Sequence, residues 1–154
     1  MKFEICLAKR EDLKSCAKIL REIYNSNVLN EGWTEESSNK VCEFFFKLNP
    51  DLFFVAKNQT GGVIGFTYSY IKPWADGNQL MIEEISVDEK YRKNGVAKAL
   101  LLKIVSEAKK KYDITKVNGA TYYGDDDMPF AWYERIGFEK LEDLFLIEAD
   151  AEQL

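Results

Sequence analysis

The stretch Tyr91-Arg-Lys-Asn-Gly-Val-Ala97 joins a strand-like run, Leu80 to Val87, to a strongly helical one, Val96 to Lys110. No other part of the chain restricts the fold as much. A glycine where strand gives way to helix, among Arg92, Lys93 and Lys98, leaves the first N–H groups of the helix free and adds the positive end of its dipole. Such a turn suits a phosphate or pyrophosphate. The plainer reading is a glycine turn with solvated basic side chains, and the segments on either side have to decide between them.

Upstream, residues 2–8 alternate as a strand does. Residues 11–25 put Leu13, Cys16, Ala17, Leu20, Ile23 and Tyr24 on one helical face. After a polar loop, Asn25 to Gly32, Thr34 is an N-cap with Glu35 and Glu36 in the first turn. The helix it opens buries Val41, Phe44, Phe45 and Leu48 and is stopped by Asn49-Pro50. Leu52–Ala56, Val63–Ile71 and Leu80–Val87 then form a meander. Its turns are Asn58–Gly62 and a loop, Pro73–Asn78, that carries Trp74 and Asp76. Beyond the glycine turn, Ala97, Leu100, Leu101, Ile104 and Ala108 make a buried stripe. Lys116–Tyr123 reads as a strand, Asp125–Asp127 as an acidic turn, and Met128–Ile136 as a short helix closed by Gly137. A last strand or hairpin over 138–149 completes one α+β domain spanning 1–154.

Composition narrows the chemistry. The chain has no histidine, which removes imidazole bases, His triads and His-ligated zinc and leaves Glu, Asp, Tyr, Cys, Lys or water for proton transfer. Cys6, Cys16 and Cys42 cannot all pair and lack metal-ligand spacing. They read as reduced, buried thiols of a cytoplasmic protein, and no metal is called for. A net charge of −5 argues against nucleic-acid binding and favours a cationic substrate. No apolar run reaches the ~18 residues of a membrane span, and Met1-Lys2-Phe3-Glu4 does not open a signal peptide.

Downstream of the glycine turn comes Phe130-Ala-Trp-Tyr-Glu-Arg-Ile-Gly-Phe138. The order strand, Arg-x-x-Gly-x-Ala, helix, and then this Tyr-bearing helix running into Gly-Phe, resembles the GCN5-related N-acetyltransferases (GNAT). The resemblance covers nearly the whole chain in element order and is most specific over 80–101 and 130–138. It implies a mixed sheet of about six to seven strands with about four helices, splayed between the strands ending near Val87 and Tyr123. It also implies acetyl-CoA as cosubstrate. Ile85, Ser86 and Val87 would offer backbone groups to the pantetheine arm. Arg92, Lys93, Asn94, Gly95, Val96, Ala97 and Lys98 would hold the pyrophosphate. Tyr133 falls on the family's general acid, which protonates the departing thiolate. Asp126 stands where many members have a cofactor-contacting Asn, and a carboxylate there is a departure.

An amine of ordinary pKa is only about 0.1% neutral at pH 7, a cost of roughly 4 kcal/mol, so a base is needed. Glu83 matches a Glu of several small-amine acetyltransferases in the family. Glu84, its neighbour, points to the opposite face of the strand, unless a bulge disturbs the parity. The transfer would be direct, with the oxyanion steadied by a backbone N–H near Val87. Glu31, Trp33, Glu35, Trp74, Asp76, Glu84 and Asp125–Asp127 provide acid and aromatic groups for a polycation. At any one of these positions an ordinary solvated charge is the alternative. The segments Tyr68–Trp74 and Ile82–Val87 resemble those of polyamine and of aminoglycoside 6′-type acetyltransferases. A protein N-terminal or lysine acetyltransferase, and a non-catalytic acetyl-CoA sensor, are the other readings. Homodimers recur among such relatives, and the C-terminal strands could pair across one.

Overall fold

Apolar alternation over the first half of the chain is realised as an antiparallel meander. In this computed structural model, which describes residues 1–26, 29–122, 129–144 and 146–153, the chain divides into two units, Met1–Ala120 and Thr121–Leu154. The first holds one sheet in the order β1 (Phe3–Leu7), β2 (Phe53–Asn58), β3 (Val63–Trp74), β4 (Gly77–Val87) and β5 (Ile114–Gly119). The first four strands are antiparallel neighbours, and β5 joins β4 in parallel through the crossover helix α3 (Val96–Tyr112).

Helices α1 (Leu13–Tyr24) and α2 (Glu35–Leu48) cover one face. Their Leu13, Cys16, Ala17, Leu20, Cys42 and Phe45 pack with Phe53, Val55, Phe66 and Tyr68 of the sheet. Phe45 stacks on Tyr68 with ring centroids 4.4 Å apart. The other strand parity faces α3, whose Val96 lies against Gly65 and whose Lys103 stands over the Phe54 ring. Thr34 caps α2 as its sequence implies. Its hydroxyl accepts the Ser37 N–H at 3.0 Å while the Ser37 hydroxyl accepts the Thr34 N–H at 2.9 Å, an arrangement worth about 1 kcal/mol. Among the described residues no helix is long and apolar enough to cross a membrane.

Phe44 and Leu48, expected to be buried by α2, are 58% and 49% exposed, and three larger sequence expectations are corrected as well. The sheet has five strands, not six to seven: over residues 138–149 no strand is present among the described residues, and Leu146 and Ile147 are 91% and 90% exposed. Apolar residues hold a strand only when a neighbouring strand and a covered face reward it, and here Leu141, Leu144, Leu146 and Ile147 meet solvent. The strand expected at Lys116–Tyr123 is displaced to Ile114–Gly119, because the left-handed Asp113 ends α3 and turns the chain straight into the sheet. The loop expected at Pro73–Asn78 is a two-residue turn, Ala75-Asp76. Pro73 pairs with Asn78 and Trp74 with Gly77, and Gly77 takes the positive φ of +117° that closes so tight a hairpin.

The second unit contains α4 (Pro129–Arg135), with Pro129 at its first position, where the missing N–H costs nothing.

Candidate active site

The glycine turn is braced by its own hydrogen bonds. The Asp88 carboxylate accepts the Lys90 N–H at 3.0 Å and opens one 3-10 turn, Glu89–Tyr91. Arg92 Nε donates to the Val87 carbonyl at 3.3 Å, and Asn94 Nδ2 donates to the Arg92 carbonyl at 2.9 Å, so the amide of Asn94 braces the loop. Lys93 (φ +61°) and Gly95 (φ +79°) are both left-handed and turn the chain into α3. The first N–H to close onto the turn is that of Ala99, to the Gly95 carbonyl at 3.0 Å. Those of Val96, Ala97 and Lys98 have no acceptor within the helix. Beyond its chain neighbours, no atom of the described residues lies within 4 Å of where a Cβ on Gly95 would sit. Open backbone donors, the dipole of a 17-residue helix and the exposed Arg92, Lys93 and Lys98 together fit a pyrophosphate.

Among the described residues, the strand leading into the cradle is unpaired on one side. β4 pairs with β5 from Asn78↔Ile114 to Ile82↔Gly119, and no further. At that last pair the strands come so close that a Cβ on Gly119 would be 3.0 Å from the Ile82 carbonyl. Beyond it, Glu83 to Val87 run along β3 alone among the described residues. The side of Ile85, Ser86 and Val87 away from β3 is therefore unpaired among the described residues, while Tyr123, the other strand end expected at a splay, lies outside them.

At the break sits a bulge. Tyr68 pairs with Glu84 and Ser69 with Ile82, leaving Glu83 as the extra residue. Glu83 is exposed and Glu84 is 9% exposed. The Glu84 carboxylate uses both oxygens: the Tyr24 hydroxyl donates to Oε2 at 2.8 Å and the Ser86 hydroxyl to Oε1 at 2.7 Å. Burial raises its pKa above the usual carboxylate value, and the Glu83 charge adds to that, against the two hydrogen bonds. So Glu84, expected as a substrate contact, is a hydrogen-bonded group on the α1–α2 side of the sheet. Tyr24 is the residue that sequence reading passed over. It counted there as one apolar member of a helical stripe, although a buried tyrosine hydroxyl calls for a partner.

The acidic and aromatic residues expected to grip an acceptor separate into two groups. Trp33 packs against Tyr24 (ring centroids 5.9 Å) and its Nε1 donates to Glu31 at 2.9 Å, which places both beside the Glu84 network. Trp74 and Asp76 lie at the tip of the β3–β4 hairpin, about 20 Å along β4 from Glu83 at ~3.3 Å per residue. There Lys72 stands 4.2 Å over the Trp74 ring, and Asp76 is paired with Lys116 and Gln79. Glu35 begins α2. Asp125, Asp126 and Asp127 lie outside the described residues.

In the second unit, Tyr133 is pinned by the Gly-Phe pair that follows its helix. Gly137 (φ +99°) donates to the Glu134 carbonyl and Phe138 to the Tyr133 carbonyl, both at 3.0 Å, while the Phe138 ring meets the Tyr133 ring edge-on at 5.2 Å. This is a Schellman closure with its apolar contact. Trp132 packs on the Tyr133 ring at 4.7 Å.

Cysteine nucleophiles fare poorly. Burial, then the Glu84 charge, pushes the Cys42 thiol up to about 12, and Cys16 and Cys6 are raised as well.

The acetyltransferase (GNAT) family model matches residues 13–138. A comparison with curated protein sequences found no match. Among solved structures, the aminoglycoside N-acetyltransferase AAC(6')-Iy in complex with CoA is 17% identical, with 96% of this chain and 95% of that one covered and a TM-score of 0.75. Glucosamine-6-phosphate N-acetyltransferase from Arabidopsis thaliana is also 17% identical, over 97% and 100%, at 0.71. Ribosomal-protein-alanine N-acetyltransferase from Brucella melitensis biovar Abortus 2308 is 18% identical, over 97% and 100%, at 0.73. At these identities the structures establish the shared fold. The chain belongs to the acetyltransferase (GNAT) family and is an N-acetyltransferase.

Proposed function

We propose that this member of the acetyltransferase (GNAT) family moves an acetyl group from acetyl-CoA directly to a primary amine of a small polycation, of the polyamine or aminoglycoside kind. The observation that carries the reading is continuity. The freed edge of β4, from the Glu83 bulge to Val87, runs without a break into the Gly95 cradle. Bound acetyl-CoA supplies the acetyl group and the thiolate leaving group. The backbone N–H groups of Val96, Ala97 and Lys98, with Arg92, Lys93 and Lys98 side chains, hold its pyrophosphate, while Ile85, Ser86 and Val87 offer main-chain groups to its pantetheine arm.

Glu83 is the proposed base. It is exposed at the break, so it can take a proton from an incoming ammonium directly or through water. Tyr133 is the proposed acid, returning a proton to the departing sulfur. The C–N bond forms as the C–S bond breaks. Glu31 and Trp33 form the cation-binding side of the acceptor site. The support for a polycation is this acid–aromatic pair beside the Glu84 network, together with the aminoglycoside chemistry of one structural relative.

Release of free thiol across a panel of spermidine, spermine, aminoglycosides and peptides with free N-termini or lysines tests the acceptor. Turnover confined to the small polycations supports the reading. Turnover with peptides alone overturns it in favour of protein acetylation. Acetyl-CoA binding without turnover of any amine favours a sensor.

A further inference from the structure

Glu84 takes a carboxyl group into the α1–α2 side of the sheet with no cation to meet it. Its two partners are hydroxyls, and no salt bridge reaches it among the described residues. A group so placed costs stability, and its two occupied oxygens leave little for a substrate. What it does hold is Tyr24, the last residue of α1, and on Tyr24 the loop 29–34 is built. The Glu31 N–H donates to the Tyr24 carbonyl at 3.0 Å. The side chain of Asn25, next in sequence, brackets Trp33 by accepting its N–H at 2.6 Å and donating to its carbonyl at 2.7 Å. The Trp33 ring leans on the Tyr24 ring, and its indole N–H holds the Glu31 carboxylate. On the strand side, the Glu84 carbonyl accepts the buried Thr67 hydroxyl at 2.7 Å, which fixes β4 directly after the Glu83 bulge.

We propose that Glu84 is a positioning residue: through the Tyr24 hydroxyl its carboxylate ties the loop bearing Glu31 and Trp33 to the strand bearing Glu83. The proposal rests on the reading of that loop as the acceptor side of an amine acetyltransferase. Loosening the tie leaves the acetyl-CoA cradle alone and frees the acceptor loop, so it acts on the amine and not on the cosubstrate.

The test compares full-length wild type, Tyr24→Phe and Glu84→Gln by hydrogen–deuterium exchange and by kinetics with spermidine and an aminoglycoside. Losing a buried hydrogen bond to the Glu84 carboxyl group, Tyr24→Phe speeds exchange of amides 29–34 about tenfold, with α3 amides unchanged. KM for the polycation turned over rises by a similar factor, while kcat and the KM for acetyl-CoA stay within about twofold of wild type. Glu84→Gln keeps an oxygen for the Tyr24 hydroxyl and gives a smaller change in the same direction, a partial rescue that simple loss of packing would not produce. Unchanged loop exchange in both variants overturns the proposal. Faster α3 exchange in Tyr24→Phe would mark general unfolding, and Glu84→Gln then decides alone. Faster loop exchange with an unchanged KM for the polycation turned over, or with no turnover of either spermidine or an aminoglycoside, upholds the tie and overturns the acceptor reading beneath it.

Discussion

Gly95 separates stability from cosubstrate binding. At φ +79° a side chain costs about 1–2 kcal/mol of backbone strain. Beyond its chain neighbours, no atom of the described residues lies within 4 Å of the added Cβ, so strain is the main folding cost, and Gly95→Ala and Gly95→Glu should melt a few degrees below wild type and close to each other. They part in binding. The new side chain occupies the space above the free N–H groups at the start of α3, where the cradle would hold a pyrophosphate. A Glu carboxylate about 4 Å from a phosphate charge, in a half-solvated site, is repelled by about 4 kcal/mol, close to a thousandfold in affinity. Calorimetric titration of CoA into the three proteins reads this directly. Gly95→Ala should lose affinity modestly and Gly95→Glu by up to three orders of magnitude, with the gap narrowing as salt is raised. Equal affinities for the Ala and Glu variants would refute the placement of the pyrophosphate.

Further outcomes follow from the same geometry. Tyr133→Phe should lower kcat while leaving CoA affinity nearly intact, and a wild-type rate would remove Tyr133 as the acid. Glu83→Gln should slow turnover by about 10²–10⁴-fold at pH 7, recovering as rising pH supplies free amine, whereas a small, pH-independent effect would exclude it as the base. Cys42→Ala should keep full turnover, since a thiol pushed up to about 12 holds almost no thiolate, and a collapse in rate would restore a covalent route. Because the folded-state pKa of Glu84 is raised above its ordinary 4.5, the folded protein holds that proton more tightly than the unfolded chain. Its stabilising contribution is full below about pH 4.5 and is lost as pH rises through the folded value. Glu84→Gln should therefore flatten urea-unfolding stability over that window, and parallel wild-type and variant curves would contradict the assignment.

What could be read from the sequence was local. Thr34 as a cap, Asn49-Pro50 as a stop and Gly95 as the turn from strand into helix each follow from one residue's own conformational limits. The Gly137-Phe138 pair likewise closes α4 onto Tyr133. What the sequence hid was pairing between distant segments. Alternation put Glu83 and Glu84 on opposite faces but could not show that a bulge would leave the first exposed and the second tied to a tyrosine 60 residues earlier. Nor could it show that Lys72 and Lys116 already occupy Trp74 and Asp76, or that the apolar residues after Phe138 would form no strand among the described residues.

The central claim is direct transfer of an acetyl group to an amine. Incubation with acetyl-CoA labelled in the acetyl carbonyl carbon and with spermidine or an aminoglycoside, followed by mass spectrometry of amine and protein, tests it most directly. The expected result is label in the amine as an amide, in a one-to-one ratio with released thiol and with none on the protein. Label on a cysteine, or thiol release with the label recovered as free acetate, would contradict it.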